Sequence, residues 1–127
     1  MRATRSQIGA LSARLDEEAH VEVIATGKRL DSTMVAIEEV LYQTKLKSNQ
    51  DMLNYPIRLN NKLAHVGSLA SMGLYRPTEQ MVGVRDEITA QIDVQLVLWY
   101  ALRDTDVPAL NALIRASEID LIGVPED

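Results

Sequence analysis

The sequence predicts an all-α fold, an up-down antiparallel helical bundle of about four main helices with a short C-terminal one. Three observations carry that expectation. Apolar residues recur at alternating spacings of three and four over most of the chain, which places them on one face of an α-helix. Phe is absent and aromatics make up only 4% of the residues, so the interior falls to Leu, Ile, Val, Ala and Met, a palette suited to helix-on-helix packing. The connections between the periodic stretches are short, which favours antiparallel neighbours.

Ile8, Leu11 and Leu15 give the first face, and the pattern stops at Asp16-Glu17-Glu18, so a short helix is expected over about 3–15. Val23, Gly27, Leu30, Met34, Ile37, Leu41 and Thr44 then repeat at four and three without a break in phase. That continuity reads as one helix from about 18 to 47, passing through Asp31-Ser32-Thr33, which could otherwise have capped a fresh start. At ~1.5 Å per residue such a helix would reach about 45 Å and act as a spine for the others. Gly27 on its inner seam costs up to about 1 kcal/mol of helix propensity, which a closely approaching neighbour would offset.

Pro56 lacks a backbone donor and pushes Tyr55 out of helical angles, so the next helix is expected from Pro56 to about residue 72. Leu59, Leu63, Val66 and Ala70 form its seam, and Gly73-Leu74 reads as a left-handed C-terminal cap with its apolar contact. Thr78 is the expected N-cap of a helix running to about 103, with Glu79 near its positive end and an apolar stripe through Met81, Val84, Ile88, Ile92, Leu96, Trp99 and Leu102. Asp104-Thr105-Asp106 is expected to break it. Pro108 then suits the first turn of a closing helix with Leu110, Leu113 and Ile114 inside, and the tail over about 118–127 is expected to fray.

A chain of 127 residues is long enough to bury a core without metal or disulfide staples, and a single domain over 1–127 is expected. No internal repeat or low-complexity linker suggests a second. The formal charge of -5 offers no basic surface for phosphates, which argues against a nucleic-acid partner. No window has the apolar length of a membrane span, and the first seven residues lack the apolar run of a signal peptide, so the sequence reads as a soluble chain. Without cysteine there are no disulfides, thiolate metal sites or thiol nucleophiles.

The string Leu41-Tyr42-Gln43-Thr44-Lys45-Leu46-Lys47-Ser48-Asn49-Gln50-Asp51, then Leu53-Asn54-Tyr55-Pro56-Ile57-Arg58-Leu59-Asn60-Asn61-Lys62-Leu63-Ala64, then Pro77-Thr78 and Asp106-Val107-Pro108-Ala109-Leu110-Asn111, resembles the helical C-terminal region of large bacterial proteins with sortilin-type or bacterial-neuraminidase-type repeats. The likeness runs from about Val23 to Ile114, with the segment Asn54 to Leu63 its most specific part. In that family a β-propeller precedes the helical region. The resemblance implies a helical appendage to, or a relative of, an extracytoplasmic propeller protein, and it brings no catalytic residues with it. The hydrolase label such proteins carry belongs to the propeller repeat, whose Ser-x-Asp-x-Gly-x-Thr-Trp hallmark does not occur in this sequence.

Few residues suggest chemistry. His20 and His65 stand on different predicted helices without the paired spacing of a metal site, and no cofactor is expected. Asp16-Glu17-Glu18, Glu38-Glu39 and Asp86-Glu87 are adjacent carboxylates that point about 100° apart on a helix, so they read as solvated faces and not as an acid–base pair. Asn49-Gln50-Asp51 lacks the oxygen density of a calcium loop. Trp99 fits the apolar seam, which leaves Tyr100 facing outward, and Tyr42, Tyr75 and Tyr100 could mark an interaction surface.

The candidate interaction or ligand surface is Asn54, Tyr55, Arg58, Asn60 and Asn61. Its amides, with Asp51, could hold a ligand such as a glycan, or could satisfy backbone groups freed by the break between helices; the second reading is preferred. The function expected from these features is a non-catalytic structural or protein-interaction module, docking on a propeller or on a second copy of itself. A small-ligand or carbohydrate-binding domain is the alternative.

Overall fold

The computed structural model of the chain describes residues 1–48, 54–72 and 75–119. The fold is all-α, with no strand among the described residues. Helix α1 spans Arg2–Arg14, α2 Val21–Leu41, α3 Leu59–Ser71, α4 Glu79–Ala101 and α5 Val107–Ala116. A five-residue π-helical turn, Leu102–Asp106, joins α4 to α5. The chain forms two compact units. One takes in Met1–Met34 and the chain from Trp99 onward, and the other takes in Val35–Leu98.

In the first unit, α1 lies against the opening of α2, and glycine sets the approach. A Cβ built at Gly27 would stand 3.0 Å from the Ile8 Cγ2 methyl and 3.6 Å from the Ser12 hydroxyl, so a larger residue would push the helices apart. Arg5 donates from Nε to Asp31 Oδ1 at 2.7 Å, a partly exposed pair that ties the same two helices one turn further along. Along α2, which passes into the second unit at Val35, the stripe read from the sequence is buried at Val23, Gly27, Leu30, Met34 and Ile37 and half-buried at Leu41, and Ile24 and Glu38 widen it. Burial of Glu38, at 8% exposure, corrects the expectation that both residues of the Glu38-Glu39 pair face water; only Glu39 does.

Several helix ends differ from those expected, each for a local reason. Helix α2 begins at Val21 because residues 16–20 form a turn of their own. There the Asp16 carboxylate accepts the backbone N–H groups of Glu18 at 2.8 Å and Ala19 at 2.9 Å. Those bonds, that from Ala19 foremost, hold the Asp16 carboxyl below the usual carboxylate range. At its other end α2 stops at Leu41, six residues short of the expected 47, and Thr44 is exposed outside it.

Helix α3 begins at Leu59 and not at Pro56. Arg58 precedes it in an extended conformation, with φ -106° and ψ -179°. The cap expected at Gly73-Leu74 lies outside the described residues, as do Asn49, Gln50, Asp51 and residues 120–127 of the tail. Thr78 caps α4 as expected, accepting the Met81 N–H on its hydroxyl oxygen at 3.2 Å.

The expected break at Asp104-Thr105-Asp106 does not occur; the helical path continues into α5. Proline in a helix removes one N–H and crowds the carbonyl four residues back. A π turn relieves this by widening the backbone, and here the Val107 N–H bonds to the Leu102 carbonyl, five residues earlier. Pro108 then sits within the first turn of α5, whose Leu110 is buried.

In the second unit Leu63, Val66 and Ala70 of α3 and Met81 of α4 line one groove, together with Pro77 of the connection between the two helices. Burial there is thin. Ile37, Leu59 and Ile88 are its buried apolar residues among those described, and Leu63, expected in the core, is half-buried on the wall of that groove.

These placements order three substitutions. Gly27→Leu should lower stability by about 2 kcal/mol through the forced separation from Ile8. Ile37→Asp should lower it by about 3 kcal/mol or more, because a charge would be left in a buried position. Glu39→Ala should stay within about 0.5 kcal/mol of the parent. Urea unfolding of the three variants checks the order, and equal midpoints would contradict the assigned faces.

Candidate functional site

The residues singled out at the break between α2 and α3 belong to the second unit, and the structure divides them. Asn54, Tyr55 and Asn60 are exposed, whereas Arg58 and Asn61 are half-buried. Arg58 occupies the N-cap position of α3, where no side chain accepts a first-turn N–H. Asn61 sits on the first turn of the same helix.

The group that stabilises the break is one the sequence did not single out. Gln43, just past the end of α2, is 4% exposed. Its amide Nε2 donates to the Pro56 carbonyl at 2.9 Å, and its Oε1 accepts the Lys45 N–H at 3.3 Å. One buried side chain thereby serves both sides of the linker, the task expected of the asparagines. The signal was faint: an amide two residues past the last apolar residue of a long helix, thirteen residues ahead of a proline. Tyr55 is engaged from the same side, with the Lys45 ammonium 6.0 Å from its ring centroid.

Two buried polar atoms at the start of α3 have no hydrogen-bond partner: Nε of Arg58, a donor, and Oδ1 of Asn61, an acceptor. Buried polar groups are nearly always paired, so this donor and acceptor, three residues apart in sequence, stand out from the rest of the described chain.

The other candidates stay apart. His20 is half-buried and His65 exposed, and no group of three or more His, Asp or Glu side chains among the described residues is placed to hold a metal ion. Asp86 is bound by Arg85, whose Nε and Nη2 both donate to its Oδ1, at 2.8 and 2.6 Å. In the first unit Arg103 stacks over Tyr100, 4.8 Å from the ring centroid, and forks onto Asp104 at 2.6 and 2.8 Å. That pairing raises the Arg103 pKa and lowers the Asp104 pKa. Trp99 is half-buried and Tyr100 exposed, as their seam positions require.

The largest departure from expectation is the amount of apolar surface the second unit leaves open. Of the fourteen large apolar side chains exposed among the described residues, all but Val21 and Tyr100 belong to it. Helix α4 contributes on more than one side. Ile88 is buried, while Val94 is 58% and Val97 65% exposed on the opposite face, with Leu98 beside them and Val82 and Val84 nearer the helix start. At the end of α3 and in the connection, Met72 is 78% and Tyr75 90% exposed. No described helix is long and apolar enough to cross a membrane. No family model matches the chain, and no curated protein or solved structure matches it.

Substitutions at the break should separate the two roles. Gln43→Ala should destabilise by about 1–3 kcal/mol, because it strands the Pro56 carbonyl and the Lys45 N–H. Asn61→Ala removes an acceptor that is already unpaired and should be neutral or stabilising by up to about 1 kcal/mol. Chemical unfolding of both variants measures this, and a larger loss for Asn61→Ala than for Gln43→Ala would refute the assignment.

Proposed function

We propose that the chain is a non-catalytic protein-interaction module whose second unit carries the docking surface, used for self-association or for seating on a propeller-type partner. The observation that carries this reading is the composition of α4, which is apolar on opposite faces. A helix with one apolar stripe is completed by one neighbour, whereas a helix apolar on two sides needs a second. Ile88 lies on the side already covered, and Val94, Val97 and Leu98 form the side left open. Met72 and Tyr75, exposed at the other end of α4, are residue types enriched at protein interfaces. The resemblance of the Asn54 to Leu63 segment to a propeller-associated helical region supports the choice of a protein partner.

A second reading, a small polar ligand at the start of α3, is favoured by the orphaned atoms of Arg58 and Asn61. Such a ligand would present an acceptor to the guanidinium and a donor to the amide, as a sugar hydroxyl or an amide group can.

Light scattering on the chain over a wide concentration range tests the first reading. Concentration-dependent association, or complex formation with the β-propeller portion of a protein of the resembled type, is expected. Val94→Glu and Val97→Glu should abolish it while leaving the helical circular dichroism unchanged, since both side chains are exposed. A chain that stays monomeric and binds no propeller contradicts the reading. Glycan binding lost on Arg58→Gln and Asn61→Ala, in variants that still fold, would support the second reading in its place.

A further inference from the structure

The seam between α3 and α4 is incompletely filled. A groove of about 280 Å³ opens along it, walled by Leu63, Val66 and Ala70 from α3 and by Met81 and Val82 from α4. From Leu63 to Ala70 it follows two helical turns, about 10 Å at 1.5 Å per residue. A contact of that length is far short of what a protein partner needs by itself, because stable interfaces bury roughly 800 Å² on each side. The groove has the dimensions of a single aliphatic chain.

Two features point to what fills it. Gly67 lies in the groove wall within α3, where glycine costs about 1 kcal/mol relative to alanine. At Gly27 the missing side chain makes room for Ile8, but a Cβ at Gly67 would meet nothing within 4 Å. Among the described residues, none reaches within 4 Å of that position. The second feature is charge. In a chain of net charge -5, the one charged residue among the described residues lining this groove is a cation, Arg85. Its Nε and Nη2 are turned to Asp86, but the pair is exposed, at 54% and 60%, and such pairs hold weakly. A guanidinium carries five N–H donors, so it can donate to a second carboxylate from its remaining edge.

We propose that this groove binds an amphipathic carboxylate, an unbranched aliphatic chain lying over Gly67 with its acid group on Arg85. The site is separate from the association surface around Val94 and Val97 and does not depend on that reading. Light scattering measures one and ligand titration the other.

Decanoate, titrated into the full chain below its micelle concentration, is the probe, with calorimetry and amide chemical shifts as readouts. Saturable one-to-one binding is expected, with shifts along 63–70 and 77–85. Arg85→Gln should weaken it by roughly tenfold or more, as loss of a charge-assisted hydrogen bond does. Decylamine, which replaces the acid with a cation, should bind weakly or not at all. Gly67→Leu should melt no lower than the parent and fail to bind. If Gly67→Leu does not fold, decanoate carrying a nitroxide on the parent chain gives the same answer by broadening the amides of Gly67, Ala70 and Val82. Absence of saturable binding, equal binding of decylamine, undiminished affinity in Gly67→Leu, or broadening centred elsewhere would each overturn the proposal.

Discussion

Everything else in this molecule depends on how unevenly its helices bury their apolar residues. The stripe from Val23 to Ile37 on α2 is buried along its whole length, and Gly27 lets Ile8 of α1 come close enough to seal one end of it. Among the described residues, the second unit has no such seal. Ile37, Leu59 and Ile88 are fully inside, while valine, leucine, methionine and tyrosine side chains from α3 and α4 face water. At roughly 25 cal/mol per Å² of apolar surface, leaving several such side chains exposed forgoes several kcal/mol of stabilisation. Large exposed apolar patches are typical of interaction sites, and the proposed docking role is argued from this imbalance.

The ends of the helices show how small groups decide where a periodic pattern stops. Thr78 and Asp16 act through single oxygen atoms on backbone N–H groups, each at the start of a helical segment. Gln43 does the equivalent work between helices, with an amide that can donate and accept at once. Pro108 shows a different solution: the backbone widens by one residue per turn over Leu102–Asp106, and the chain stays helical where a break was expected.

The parts of this fold legible in the sequence are those that repeat. The four-three spacing on α2 gave the buried face from Val23 to Ile37, because helix geometry puts side chains at that spacing on one side; it missed Ile24 and Glu38 and ran past the helix end to Thr44. Gly27 was legible for the same reason, since a glycine on an inner seam implies a close neighbour. Gln43 and Glu38 were not: a polar residue betrays its burial only through a partner, and the partner of Gln43 lies thirteen residues away across a proline. The candidate site was legible in part. The stretch from Asn54 to Asn61 does contain the orphaned atoms, at Arg58 and Asn61, but spacing alone could not separate those two from the exposed Asn54 and Asn60. The open face of α4 was hidden because the stripe through Ile88 accounts for the helix, and nothing in that pattern reveals that the valines opposite lack a cover.

Amide hydrogen exchange on the dilute chain by itself measures this asymmetry most directly. The account predicts that amides of 24–34 on α2 are protected more strongly than those of 63–71 and 83–98 by roughly tenfold or more, a gap of about 1.4 kcal/mol in local opening free energy. Equal protection across the two sets would mean that the second unit is as well sealed as the first, and the case for a missing partner would fall with it.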